Sequence, residues 1–202
     1  MTTTTNFTAK DVQDLRQRTG AGMMDSKKAL VETNGDMDKA VDLLRTKGIA
    51  KAEKRAGRTA SEGAIGSYIH HNGKVGVMVE VACETDFVAR TDDFKNLVKE
   101  LALHIASAAP VSVEKDGVSA ELIARERRVY EQQVRESGKP ENLVAKIVDG
   151  KVEAYYKDVV LMSQPWIREP KKSIGELVKE ASAKLGEHIA VRRFVRYQLG
   201  QD

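Results

Sequence analysis

The stretch IGSYIHHNGKVGVMVEVAC, residues 65–83, alternates with a period of two, whereas the sequence before it repeats every third or fourth position. Ile65, Ser67 and Ile69 alternate with Gly66, Tyr68 and His70. His71-Asn72-Gly73-Lys74 then carries the Asn-Gly signature of a tight turn. Val75, Val77, Val79, Val81 and Cys83 form one face of a second strand. The reading is a β-hairpin.

Downstream, Phe94, Leu97, Val98, Leu101, Ile105 and Ala108 make the apolar stripe of a long helix that stops before Pro110. Two more helices are expected over 119–137 and 141–162, separated by Gly138 and Pro140. Gln164-Pro165-Trp166 opens a loop, which Pro170 keeps irregular. Ser173 and Glu176 have the spacing of a capping box for a last helix that ends at Gly186. The run from His188 to Tyr197 is rich in β-branched and aromatic residues and reads as a third strand. Three strands with helices on one face give an α+β domain.

Upstream, residues 1–6 read as disordered. Thr8 can cap a first helix, with Asp11 in its first turn and Phe7 stapled to Val12. That helix ends at Gly20. After a loop from Ala21 to Met24, Asp25 caps a second helix ending at Asn34-Gly35. Asp36 caps a third, with Met37, Ala40, Val41 and Leu44 inward, ending at Gly48. The organisation expected is therefore a three-helix module over 1–48, a basic linker over 49–61 and an α+β core over 62–202.

The chain has 202 residues, 41% of them hydrophobic and 31% charged. That is globular composition, neither low in complexity nor disordered throughout. No apolar run approaches the roughly 18 residues of a membrane span. The start, MTTTTNFTAK, lacks the pattern of a secretory signal. Cys83 is the only cysteine, which excludes an intrachain disulfide and suits a reducing cytosol. Net charge is +3 and localised: residues 45–58, RTKGIAKAEKRAGR, hold six basic residues and one acidic one. The plain reading of this stretch is a solvated linker helix; an acidic partner surface or an RNA phosphate is the other. Aromatics at 5% argue against base stacking.

Candidates for bond chemistry are weak. Cys83 ends an apolar strand face and is followed by Glu84 and Asp86, the opposite of a thiolate-stabilising setting. A thiol enzyme using Cys83 is the least supported reading. His70 and His71 are neighbours expected on opposite faces, so they do not readily share a metal. His104 lies beside Leu101 and Ala108 as a satisfied histidine at the core edge. No phosphate loop, dinucleotide fingerprint or HExxH is present.

Two loops differ from the rest. Gly20-Ala21-Gly22-Met23-Met24-Asp25 offers a close backbone and two adaptable apolar side chains. These methionines either fill the small core or stand exposed for docking; burying both in so short a loop is difficult. In Glu84-Thr85-Asp86-Phe87-Val88-Ala89-Arg90, Thr85 or Asp86 caps a helix and Phe87 folds inward. Alternatively, the segment projects as a tip with a carboxylate beside an aromatic wedge.

At these loops the sequence resembles a known family. Leu15-Arg16-Gln17-Arg18-Thr19-Gly20-Ala21-Gly22-Met23-Met24-Asp25-Ser26-Lys27-Lys28-Ala29-Leu30 is similar to the amino-terminal signature of bacterial elongation factor Ts. Glu80-Val81-Ala82-Cys83-Glu84-Thr85-Asp86-Phe87-Val88-Ala89-Arg90 is similar to its second signature. The likeness covers nearly the whole chain. It implies a cytoplasmic guanine-nucleotide exchange factor for elongation factor Tu, with no cofactor, no membrane and no direct nucleic-acid contact. It further implies a ubiquitin-associated-like three-helix module docking through Arg16, Met23 and Met24. The tip Thr85, Asp86, Phe87 and Val88 would then reach the GTPase near its magnesium and phosphate sites.

The chain departs from the family pattern in places. Ser26 stands where many members have cysteine, and Ala82 where asparagine is common. The length is that of short members, which resemble one core half without the second half and its helical hairpin. Short members tend to dimerise through the carboxy-terminal sheet. Val195 stands where some carry a cysteine in the last strand, so a dimer here rests on packing of the 188–199 strand. The runner-up function is an RNA- or ribosome-associated protein using residues 45–58.

Overall fold

A computed structural model describes residues 6–201. The expectation of disorder over residues 1–5 lies outside that range. Asn6 lies within it and packs against Gly35, where a Cβ would meet the Asn6 carbonyl oxygen at 2.6 Å.

Helix α1 (Ala9–Thr19) starts at the Thr8–Asp11 capping box and ends on left-handed Gly20. Phe7 and Val12 share one apolar cluster, as the staple requires. Helix α2 (Met23–Glu32) starts two residues before the expected Asp25 cap. Gly22, in extended backbone, takes the cap position with no side-chain bond. Asp25 is drawn instead to Lys51, at 2.8 Å. Helix α3 (Met37–Arg55) begins at its Asp36 cap but does not end at Gly48. Gly48 is a contact point: a Cβ there would stand 3.0 Å from that of Ala183. The Lys, Ala, Glu and Arg residues after it are good helix formers and carry the helix on. Leu15, Ala29, Leu30 and Ala40 close the three-helix core.

Strands β1 (Glu62–Ile69) and β2 (Val75–Cys83) pair antiparallel from Glu62↔Cys83 to Ile69↔Gly76. Their loop has four residues, since His70 N–H still donates to Val75. Strand β5 (Ala190–Gln198) pairs antiparallel with β2, making β2 central, with an irregularity between Glu80 and Val81. Val77, Val79 and Val81 face the short helix α4 (Asp86–Ala89) and the long α5 (Asp92–Ala108) across the main core. Gly66 permits the close approach of α5 to β1: a Cβ there would meet Val98 Cγ1 at 2.3 Å. Among the described residues, no helix covers the opposite sheet face. Ile65, Ile69, Met78, Tyr197 and Leu199 are all exposed there.

Helices α6 (Ala120–Glu136) and α7 (Glu141–Val159) pair over a core of their own, Val134, Val144, Val148 and Val152 with Tyr130 and Tyr156. These are the two helices expected over 119–137 and 141–162, paired as a helical hairpin, the second ending three residues early at Val159. It is rooted where Val111 N–H donates to Val159 O and Leu161 N–H to Ser112 O. Residues expected to form an irregular loop instead make a second hairpin, β3 (Pro165–Trp166) with β4 (Glu169–Ser173). Pro170 is tolerated because the register shifts there. Helix α8 (Ile174–Leu185) has the expected Ser173–Glu176 capping box and ends on left-handed Gly186. The fold is mixed α+β, with three amino-terminal helices and a three-stranded antiparallel sheet.

Candidate functional site

The segment after β2 combines both alternatives open in the sequence. Thr85 caps α4: its hydroxyl accepts from Val88 N–H at 3.4 Å. Phe87 nevertheless stays out of the core, at 78% exposure. Val88, one residue on, turns inward against the main cluster. Asp86 pairs with Arg90 at 2.8 Å. The four-residue helix therefore holds Val88 as its anchor and presents Phe87 with a carboxylate beside it.

This tip is braced from the far end of the chain. The Glu187 carboxylate accepts from Glu84 N–H at 3.1 Å, Thr85 N–H at 3.0 Å and the Thr85 hydroxyl at 2.6 Å. The Glu84 carboxylate in turn accepts from His188 N–H at 2.6 Å and from Arg58 at 3.4 Å. The His188 bond, helped by Arg58, holds the Glu84 carboxyl below its ordinary range. His188 Nδ1 donates to the Arg58 carbonyl at 2.8 Å. Sequence reasoning missed Arg58, Glu187 and His188 in this role. Their partners lie 26 to 130 positions away, and no local spacing marks them.

On the three-helix module, Met23 and Met24 are 48% and 63% exposed. Neither fills the core, contrary to one of the two sequence alternatives. They occupy the first turn of α2, and Val31, one further face repeat from Met24, is exposed too. Its signal was available: an apolar residue at i+7 on a solvent face. Arg16 is exposed on α1.

The basic stretch 45–58 is largely engaged within the chain. Arg45 pairs with Glu180 at 2.6 Å, Lys47 with Glu32 at 2.7 Å, Lys51 with Asp25 and Arg58 with Glu84. Arg55 donates to the Ser182 carbonyl. Arg45, Lys47, Lys51 and Arg55 hold α3 against α2 and α8 rather than forming one open stripe, and Arg58, beyond α3, joins the root of the Phe87 tip. A cavity of about 750 Å³ between the module and the core is lined by several of the same paired cations.

The remaining candidates do not assemble a reaction centre. Cys83 is fully buried, its thiol donates to Thr85 O, and burial raises its pKa. The His70 and His71 rings lie 4.2 Å apart rather than on opposite faces, because His71 has left the strand for the turn. Among the described residues no three metal-ligating side chains cluster. His104 lies deeper than the core edge and is only half satisfied: Nε2 meets Gln164, and Nδ1 meets nothing. No helix among the described residues is long and apolar enough to cross a membrane.

Comparison with known proteins gives a single answer. The family model described as Elongation factor TS matches residues 4–201. A protein named Elongation factor Ts from Oleidesulfovibrio alaskensis is 58% identical over 194 residues, covering 96% of this chain and 98% of that one. Its namesake from Geobacter metallireducens is 52% identical over 196 residues, 97% and 91% of the two chains. That of Thermoanaerobacter pseudethanolicus is 52% identical over 195 residues, 96% of each.

Proposed function

We propose a function from one premise: the chain belongs to the elongation factor Ts family. It acts in the cytoplasm as a guanine-nucleotide exchange factor, promoting GDP release from elongation factor Tu during translation. It performs no bond chemistry and needs no cofactor. The observation that carries this reading is Phe87, a large apolar ring held in solvent on a tip braced by Glu187 and Glu84. Residues 1–48 form the docking foot with Arg16, Met23 and Met24; residues 49–61 are the link; residues 62–202 carry the tip Thr85, Asp86, Phe87 and Val88.

The mechanism is differential binding. The factor favours a conformation of Tu that holds nucleotide poorly, so GDP must weaken the factor's own binding by the same ratio. Each tenfold acceleration takes about 1.4 kcal/mol from the barrier to release. Burying one aromatic ring contributes roughly 1.5–3 kcal/mol and accounts for one or two decades. Further acceleration requires the foot and the tip to act together.

The bare sheet face supports a second element, a homodimer. Ile65, Ile69, Met78, Tyr197 and Leu199 form an exposed apolar surface that a second copy would cover. An RNA role through residues 45–58 has less support, since most of those cations already face carboxylates. The direct test mixes the purified chain with Tu loaded with a fluorescent GDP analogue. Faster release is expected, and an unchanged release rate removes the reading.

A further inference from the structure

Glu187 lies one residue past Gly186, where α8 has ended, and neither caps a helix nor faces the core. Its carboxylate nevertheless takes three hydrogen bonds from two residues at the root of the Phe87 tip. The bond to the Thr85 hydroxyl is the informative one. A hydroxyl has one proton. Because Thr85 gives that proton to Glu187, its lone pairs are left for Val88 N–H, which is the bond that starts α4. The direction of the cap, and hence of Phe87 two residues later, is set by a carboxylate from the α8–β5 loop.

A second set of bonds runs the opposite way, from His188 N–H and Arg58 to Glu84. One hydrogen bond leaves a pivot; two sets of opposite sense do not. The loop supplying them is itself held, since the Ser182 hydroxyl donates to the Glu187 carbonyl.

We infer that Glu187 is a positioning residue for Phe87: the crossed Glu84–Glu187 clasp fixes the angle of the ring before the partner arrives. The inference rests on the exchange-factor reading. It deepens that reading, because a wedge on a free loop must be ordered during docking, and the ordering reduces what its burial contributes.

The test measures GDP release from Tu against concentration of the intact chain, separating the saturating rate from the half-saturating concentration. Glu187→Ala is expected to lower the saturating rate about tenfold while shifting the half-saturating concentration less than about threefold. Glu187→Gln keeps an acceptor oxygen for the two N–H groups, but its amide can only donate to the Thr85 hydroxyl, which reverses the bond that orients the cap, so it recovers only part of the rate. In a Phe87→Ala background, Glu187→Ala should add less than about a twofold loss, because both changes act through one ring. A full rate in Glu187→Ala, or a loss that multiplies with that of Phe87→Ala, overturns the assignment and leaves the exchange function standing. No acceleration by the unaltered chain removes the function and this role with it. Amide hydrogen exchange of Glu84 and Thr85, measured without Tu, should quicken in Glu187→Ala; unchanged protection overturns the clasp itself.

Discussion

His104 donates through Nε2 to Gln164 Oε1 at 3.0 Å inside the core, and its other ring nitrogen has no partner. Gln164 in turn donates to the carbonyls of Ala108 and Asp158, so this pair ties the end of α5 to the root of the α6–α7 hairpin. A proton on Nδ1 would be a buried, unpaired charge, and burial lowers the His104 pKa from its ordinary 6.5. The unfolded chain therefore binds the proton first as pH falls. His104 contributes its full stability above about pH 7, and that contribution declines as pH drops through 6.5 toward the lower folded value. Denaturant midpoints between pH 5 and 8 should show this fall. In His104→Leu the pH dependence over that interval should flatten, even though the variant is weaker at pH 8.

Ser26 is fully buried in the three-helix core, and its hydroxyl meets no partner. An unsatisfied buried hydroxyl costs about 1–3 kcal/mol. Ser26→Ala removes it at a helical position where alanine is the best former. The expected result is a gain of about 1 kcal/mol by chemical denaturation. A loss of similar size would mean that the hydroxyl has a partner in solution.

Local chemistry was legible in the sequence where cause and effect lie within four residues. The Thr8–Asp11 and Ser173–Glu176 boxes, the Asn-Gly turn and the Phe94–Ile105 stripe are of that kind. Gly48 misled because a glycine can mark a stop or a close contact, and the contact, Ala183, is 135 positions away. Pro170 misled because the register shift that accommodates it depends on pairing with Pro165 and Trp166. The same division holds at the site. Thr85 to Val88 stand out as a motif, but Glu187 and His188 are ordinary residues until the sheet closes and brings β5 beside β2.

Met23 and Met24 lie in solvent on a helix whose buried face is Ser26, Ala29 and Leu30. Changing both to alanine leaves that face intact, so the thermal midpoint should move by no more than a degree or two. Association with nucleotide-free Tu should weaken by about tenfold to a hundredfold, as truncation of exposed anchors at an interface does. Calorimetric titration measures it. Unchanged affinity assigns the docking foot to another surface.

Tyr197 is 71% exposed on the bare sheet face, next to Leu199 and across from Gly76. If two copies bury this face against each other, an aspartate at both 197 and 199 places like charges in an apolar seam and disfavours it strongly. Sedimentation of the unaltered chain should give twice 22.3 kDa, and the Tyr197→Asp, Leu199→Asp variant a single 22.3 kDa species with unchanged helix content. A monomeric unaltered chain ends the dimer reading.

Phe87 separates docking from release. The ring contributes nothing to its own core, so Phe87→Ala should not change the denaturation midpoint. What it loses is the burial of the ring against a partner, roughly 1.5–3 kcal/mol. If that burial develops only as Tu lets go of its nucleotide, the loss falls on the release rate, by one to two decades, and little on the affinity of the first complex. If the ring is buried equally before and after release, affinity falls by the same energy and the saturating rate stays unchanged. Stopped-flow release of a fluorescent GDP analogue, with titration to saturation, distinguishes the two outcomes. Phe87→Leu keeps much of the apolar volume without the flat ring, so it should fall between Phe87→Ala and the unaltered chain if the ring acts by filling space. Equality of the leucine and alanine variants would instead mean that shape, rather than buried area, opens the nucleotide site.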